Sequence, residues 1–399
     1  MQISIIKSLA KEYADEVKSI RRKLHQHPEL SFQEHQTAEL VHQKLSEWNI
    51  EHETGVAGTG IVAYIKGLNP ESKCIALRAD MDALPIEEET EYEYKSQHKG
   101  VMHACGHDAH TAMLLGCAKI LNEIKNEFSG TAKLIFQPGE EKLPGGAKNM
   151  IETGVLKNVE NIVAQHTFPD LPCGKIGVCS GAYMASCDEI NLNIKGQGGH
   201  AAKPQHCMDM VWIAAKIMTE LQFRVKNYIP AKVPYLLRFG QFIASGTYNV
   251  IPNEIPIKGT FRIYDEKWRK AVVTFMKSFV KEESHYYGVE ADLFIENGYP
   301  YLYNDKELKK HVKKAAAEYL GSENMLELEP LYTSEDFAWY SHQVPSFFYR
   351  IGTSNAKKGI VGKQHTPTFD IDEDCLEIGT GLMAWIALKD LETESKIYL

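Results

Sequence analysis

The sequence predicts an α/β sheet domain interrupted by a smaller βαββαβ domain, and three observations carry that reading. Between residues 60 and 167, short β-rich runs alternate with segments of helical period, the rhythm of an α/β sheet. Near Asp188 the rhythm changes to strand, helix, two strands, helix, strand, the ferredoxin-like order, in about 110 residues. After "NGYPYLYND" the chain returns to helix, buried strand and helix, as the far half of the first domain would. The expected segments are therefore 1–187, 188–297 and 298–399, with the middle one an insertion. A chain of 399 residues is long for one domain, which favours two.

Taken in order, residues from about 8 to 48 read as helix, interrupted at "HQHPELSF". "GIVAYIKG" and "KCIALRAD" are buried-strand runs, and 110–127 has helical periodicity. "TAKLIFQ" and "ENIVAQHT" are strands separated by the helix-like "GAKNMIETG". The insertion starts with the strand "EINLNIKG" and the helix "MDMVWIAAKIMTELQFRV". The strands "YLLRFGQFIA" and "EIPIKGTFRIY" follow, then the helix "EKWRKAVVTFMKSFVKEESHYYG" and the strand "EADLFIE". Helix 306–320, strand "PSFFYRIG" and helix 374–391 finish the first domain.

The bulk properties exclude several function classes. Hydrophobic residues make up 44%, enough for ordinary cores, and the net charge of −9 argues against a nucleic-acid binder. No basic block suggests a membrane patch, and no stretch reaches the ~18 apolar residues of a membrane span. "MQISIIKSLAKEYADEV" carries acids and lysines where a signal peptide needs an apolar run. Eight cysteines are scattered without framework spacing, so a reduced, cytoplasmic setting is expected.

The reactive residues gather where strands end. "CIALRADMDALP" ends in Asp80 and Asp82, "KLIFQPGEEK" in Glu140 and Glu141, and "NIVAQHTFP" in His166. "VMHACGHDAHTAML" places Cys105, His107 and Asp108 just before a helix, and "GKQHTPTFDID" adds His365. Sites in open α/β sheets form outside the carboxyl ends of strands. Cys105 and His107 can reach one ion if the backbone turns at Gly106, and a Cys, His and carboxylate set suits zinc and other first-row divalent ions. Alone, each has an ordinary explanation: Asp108 as a helix cap, the cysteine as packing, "GEEK" as a solvated turn. Together they point to a metal. Of two adjacent glutamates on a loop, one can bind metal while the other takes a proton from an activated water. A thiol mechanism pairing Cys105 with His107 or His110 would not need the extra acids and distant histidines.

These motifs resemble the metal-dependent amidohydrolases that include hippurate hydrolase, N-acyl-amino-acid deacylases, N-acetyldiaminopimelate deacetylase and auxin-conjugate hydrolases. The stretches carrying the resemblance are "RRKLHQHPELSFQE", "LRADMDALPI", "MHACGHDAHTAMLLG", "FQPGEEKLPGGAKNMI", "GQGGHAAKP", "YNVIPNEIPIKGTFR", "SEDFAWY" and "HTPTFDID". The resemblance implies a catalytic α/β domain of the metallo-aminopeptidase type with an inserted ferredoxin-like lid and dimerisation domain. It implies Cys105, His107, Glu141, His166 and His365 as ligands of two divalent ions, with Mn, Zn, Co and Ni all compatible. Glu140 would be the general base and Asp82 an acid that orients a ligand. Asp80 stands where relatives outside this branch carry a metal-binding His. His103, Asp108 and His110 would be structural, as hydrogen-bond partners or caps, and Glu335 would support the site without binding metal. His200 would cross to the partner subunit's active site and support the oxyanion, while Asn249 and Arg262 would grip substrate, Arg262 through a free carboxylate. Gln364 replaces a usually apolar residue and Ala164 a common Gly; Thr333 precedes the Ser-Glu-Asp core. None removes a donor.

The implied reaction is two-metal hydrolysis of an N-acyl amino acid to a carboxylate and a free amino acid, by a homodimer or homotetramer. A metallo-dipeptidase or carboxypeptidase is the nearer alternative. A non-catalytic metal-binding protein is the more distant one, and it would have no use for Glu140.

Overall fold

Seven consecutive buried residues, Cys74–Asp80, form the central strand of the larger sheet, as a parallel strand covered on both faces must. The computed structural model describes residues 2–393; residues 1 and 394–399, which belong to the expected first and last segments, lie outside the described residues. The sheet runs in the order Glu51–Val56, Gly60–Lys66, Thr131–Gln137, Cys74–Asp80, Asn161–Pro172, Ser346–Ser354, Ile176–Val178, Met325–Glu327. Its four middle strands, from Thr131–Gln137 to Ser346–Ser354, are mutually parallel, with Leu77 opposite Leu134 on one side and Val163 on the other. Helices Gln2–Gln26, His107–Glu123 and Asp374–Leu391 pack on one another. Their contact is close because Gly116 lies under Val17 and Thr380, where a Cβ would come within 2.6 Å of Val17. Asp374–Leu391 is apolar nearly all round because it is buried nearly all round.

One strand is longer than the sequence suggests. Asn161–Pro172 continues six residues past His166, because it stays paired with Ser346–Ser354 as far as Pro172. Its pairing to Cys74–Asp80 stops at Ala164. His166 is therefore mid-strand, but just beyond the reach of one neighbour.

The chain divides into two compact units: Met1–Gly181, Tyr303–Glu329 and Asp336–Leu399 in the first, Ala182–Leu302 and Pro330–Glu335 in the second. The second has the βαββαβ order of the ferredoxin-like pattern. Its antiparallel sheet runs Tyr235–Phe242, Glu254–Ile263, Asp188–Lys195, Glu290–Asn297. Ile190, Leu192 and Ile194 alternate inward and meet Ile217, Leu221, Val272 and Met276 of helices Met210–Tyr228 and Glu266–Tyr287. Asp209 and Asp265 cap those helices, accepting from the backbone N–H of Trp212 and Trp268. Among the described residues no helix is long and apolar enough to cross a membrane.

Candidate metal centre

Gly106 makes the first turn of the site possible. Its φ of +90° is in the left-handed region that favours glycine, and a Cβ there would meet Thr167 Oγ1 at 2.5 Å. The turn starts helix His107–Glu123 and leaves Cys105 and His107 close enough to share a ligand group with His166. A second group, Cys105, Glu141 and His365, shares the cysteine; a third joins His107, Glu140 and Glu141. Within each, the ligand atoms lie inside 4.8 Å of one another. The chain order of these residues, spread from 105 to 365, becomes one compact cluster in the first unit.

The spacings fit a metal. Donors around one tetrahedral zinc lie about 3.3–3.8 Å apart. Cys105 Sγ is 3.6 Å from His166 Nε2, and Glu141 Oε1 is 3.3 Å from His365 Nε2 and 3.9 Å from His107 Nε2. His107 Nε2 and Glu141 Oε1 are buried with no hydrogen-bond partner among the described residues. An orphaned imidazole nitrogen facing an orphaned carboxylate oxygen is what a ligand pair looks like, because burying either atom unpaired costs roughly 1–3 kcal/mol. Both fit a divalent ion, and the mixed sulfur, nitrogen and oxygen set fits several.

Each donor is aimed from behind. His107 Nδ1 lies 2.8 Å from the Asp82 carbonyl oxygen and 3.3 Å from Asp82 Oδ1, which turns Nε2 toward the cluster. His166 Nδ1 donates to the Thr167 carbonyl at 2.7 Å, with the same result. The His365 N–H donates to the Ala104 carbonyl at 2.8 Å, tying its loop to the Cys105 segment at a φ of +60°. Asp82 also accepts the N–H of Glu140 at 3.0 Å, the N–H of Glu141 at 2.9 Å and the Ser31 hydroxyl at 2.6 Å. One carboxylate thereby sets the position of both glutamates. Burial opposes its ionisation, but the His107 contact and these donors hold its pKa below the usual range.

Glu140 is buried, and Oε1 accepts the Asp336 N–H at 3.4 Å. Asp336 is fixed in turn by Arg78 at 2.7 Å and by Gln137 and the Ala147 N–H. Arg78 also pairs with Asp80. Asp80 Oδ1 lies 2.6 Å from His110 Nδ1, so both Asp80 oxygens are engaged, and Asp80 braces the site from below. Burial works against its charge, yet Arg78, His107 and His110 hold its carboxyl well below the ordinary range.

Asp108 does not cap its helix. It accepts from Arg21 at 2.8 Å and lies 2.7 Å from His25, locking helix Gln2–Gln26 to the start of His107–Glu123. Arg21 reaches on to Asp370, five residues after His365. His103 differs from Asp108 and His110: both ring nitrogens are buried without a partner among the described residues, and burial pushes its pKa down to about 4, keeping it neutral. Burial, with Arg350 adding, also holds His166 well below its ordinary value, which suits a neutral ligand. Burial and the Glu141 charge push the Cys105 thiol up.

The sequence reading assigned no role to Arg21, His25, Ser31, Arg78, Gln137 or Asp336. The available signal was charge inside apolar runs, such as Arg78 in "CIALRAD".

In the second unit, His200 sits on the two-residue strand Gly199–His200, opposite Val250, and the Ala201 N–H donates to the Asn249 carbonyl at 3.0 Å. His200 and Asn249 are thus exposed neighbours across a short antiparallel strand pair whose two segments are far apart in sequence. Arg262 is separate from them, on Glu254–Ile263, donating to Thr260 Oγ1 at 2.9 Å and to Ser334 Oγ at 2.8 Å. Glu335, also in this unit, is buried.

Comparison with known proteins shows the family. Residues 76–389 match peptidase family M20/M25/M40. The IAA-amino acid hydrolase ILR1-like 4 of Arabidopsis thaliana is 37% identical over 384 residues, 95% of this chain and 87% of the relative. The thermostable carboxypeptidase 2 of Saccharolobus solfataricus is 37% identical over 387 residues, 96% of this chain and 98% of the relative. The crystal structure of the Bacillus subtilis YXEP protein, a dinuclear metal-binding peptidase of the M20 family, superposes with a TM-score of 0.82 at 36% identity. That match covers 96% of this chain and 99% of the other.

Proposed function

Because the chain belongs to peptidase family M20/M25/M40, we propose that it is a metal-dependent amidohydrolase of N-acyl amino acids, N-acetyl and N-benzoyl ones among them. The observation that carries this is the pair of donor groups sharing Cys105, with the acid Glu140 beside His107 and Glu141. Cys105, His107, Glu141, His166 and His365 are the ligands in this reading. When bound, two divalent ions (Mn, Zn, Co or Ni) supply polarisation of the scissile carbonyl and a water acidic enough to be deprotonated near neutral pH.

The chain's own residues do the rest. Glu140 takes a proton from the attacking water and delivers it to the leaving nitrogen. Asp82 keeps His107 and both glutamates in register. His200, supplied by the partner subunit, donates to the tetrahedral oxyanion. Arg262, held by Thr260 at Nε and Ser334 at Nη1, grips the substrate's free carboxylate from Nη2, and Asn249 adds a polar contact. The products are a carboxylate and a free amino acid.

In this reading 188–297 is a lid and dimerisation domain inserted between catalytic segments 1–187 and 298–399, and the protein is a homodimer or homotetramer. Exposure of His200 on a short strand pair supports its trans role. Eight unpaired cysteines support a cytoplasmic setting.

Elemental analysis of purified protein, with release of amino acid from N-acetyl and N-benzoyl substrates before and after chelation, tests the reading. About two metals per chain and chelator-sensitive release restored by Mn or Zn are expected. No metal and no release after reconstitution would sink it. The carboxypeptidase relative supports a second reading, a metallo-dipeptidase or carboxypeptidase. A parallel panel of dipeptides decides between them by kcat/KM.

A further inference from the structure

We infer that Gln364 donates a hydrogen bond to the Cys105 sulfur and, through it, sets the donor strength of the thiolate in the metal centre. The inference rests on Cys105 being a ligand. Gln364 Nε2 lies 3.8 Å from Cys105 Sγ, within reach of an N–H···S bond, and 3.1 Å from the Thr167 carbonyl oxygen. A side-chain amide has two N–H groups, so one can serve each acceptor.

The position is unusual. The Thr167 carbonyl also accepts His166 Nδ1–H at 2.7 Å, so Gln364 and His166 converge on one oxygen, their nitrogens 3.4 Å apart. Thr167 Oγ1 donates to the Cys105 carbonyl at 2.8 Å, and the next residue, His365, donates its N–H to Ala104. The amide of Gln364 therefore joins the three segments that carry Cys105, His166 and His365. An N–H aimed at a ligating sulfur withdraws electron density from it, lowering its donor strength toward soft ions and widening the range of metals the site accepts. Leu or Met at 364 would fill the space without an N–H.

The test uses the metal-free full chain titrated with Co(II), whose thiolate-to-cobalt charge-transfer band reports the sulfur directly. The wild type is expected to show the band and Cys105→Ser to lose it. Gln364→Leu and Gln364→Met are expected to move it to longer wavelength, because the sulfur lone pairs rise in energy without the N–H. A wild-type band that stays in place in both variants overturns the assignment, whatever happens to activity. A wild type without the band overturns the ligand reading of Cys105 itself, and this inference with it.

Discussion

The donor cluster of the first unit and the His200 strand pair of the second are held in opposite ways. In the cluster, Asp82 alone accepts from the N–H of Glu140, the N–H of Glu141 and the Ser31 hydroxyl, and Arg78 ties Asp80 to Asp336. Most of these groups are buried. On the strand pair, His200 is exposed, its Nδ1 accepts the Ala202 N–H two residues on, and the Tyr248 side chain is wholly exposed. In the proposed reading, the difference separates metal holding from substrate handling. A metal site must be fixed before its ions arrive, because each misplaced donor costs affinity. Groups that meet a substrate or a second subunit get their final partners on binding.

The sharpest break of this comparison is Glu140→Gln. Turnover is expected to fall roughly 10²–10⁴-fold, the worth of a general base, while elemental analysis still finds the metals. Retained turnover would remove Glu140 from the mechanism. Asp82→Ala comes next. It frees three donors at once and removes the 3.3 Å carboxylate contact to His107, leaving that ring its bond to the residue 82 backbone carbonyl, and metal affinity measured by chelator competition is expected to drop about 10–100-fold. Unchanged affinity would mean that the cluster is not braced through Asp82.

Arg262→Lys probes the second unit. Loss of the planar fork is expected to raise KM about tenfold for substrates with a free carboxylate, with kcat and metal content unchanged. The same rise with a substrate amidated at that carboxylate would contradict the assigned contact.

The smallest effect concerns the frame behind the cluster. Glu373 is half-buried; burial opposes its charge, but Arg22 at 2.6 Å, with Arg21 and Lys18, holds its pKa below the ordinary carboxylate value. A folded-state pKa lower than the unfolded one gives stability that is complete above the unfolded value, near 4.3, and lost as the pH falls through the folded one. Glu373→Gln is expected to cost about 1 kcal/mol by urea denaturation at pH 7, with the difference from wild type shrinking below about pH 4. A difference independent of pH would assign the cost to packing instead.

Much of this was legible in the residues. The period-2 and period-3.6 runs mark most of the main strands and helices, and the rhythm changes at Asp188, inside the unit that begins at Ala182. The mostly exposed strand Glu51–Val56 was not read, because it shows no alternation of buried and exposed residues. The short strands Ile176–Val178 and Met325–Glu327 escaped, because three residues carry no period. The structure brings Cys105, His107, Glu140, Glu141, His166 and His365 together. The length of the His166 strand was not legible, because it depends on which neighbour keeps pairing.

By itself, then, the sequence determined the inventory: which donors exist, the glycine that lets Cys105 and His107 turn toward one centre, and the faces each element buries. Those follow from local sterics and periodicity, which a few neighbouring residues decide. Only the tertiary structure decided allegiance. Asp80 and Asp82 are two residues apart in one motif, yet Asp80 is spent on Arg78 and His110 while Asp82 aims His107 and both glutamates. Asp336, far along the chain, reaches Glu140 through its backbone N–H. Such partners are chosen by the packing of strands and helices distant in sequence, where burial makes every unpaired charge costly and so leaves each acid one place to be.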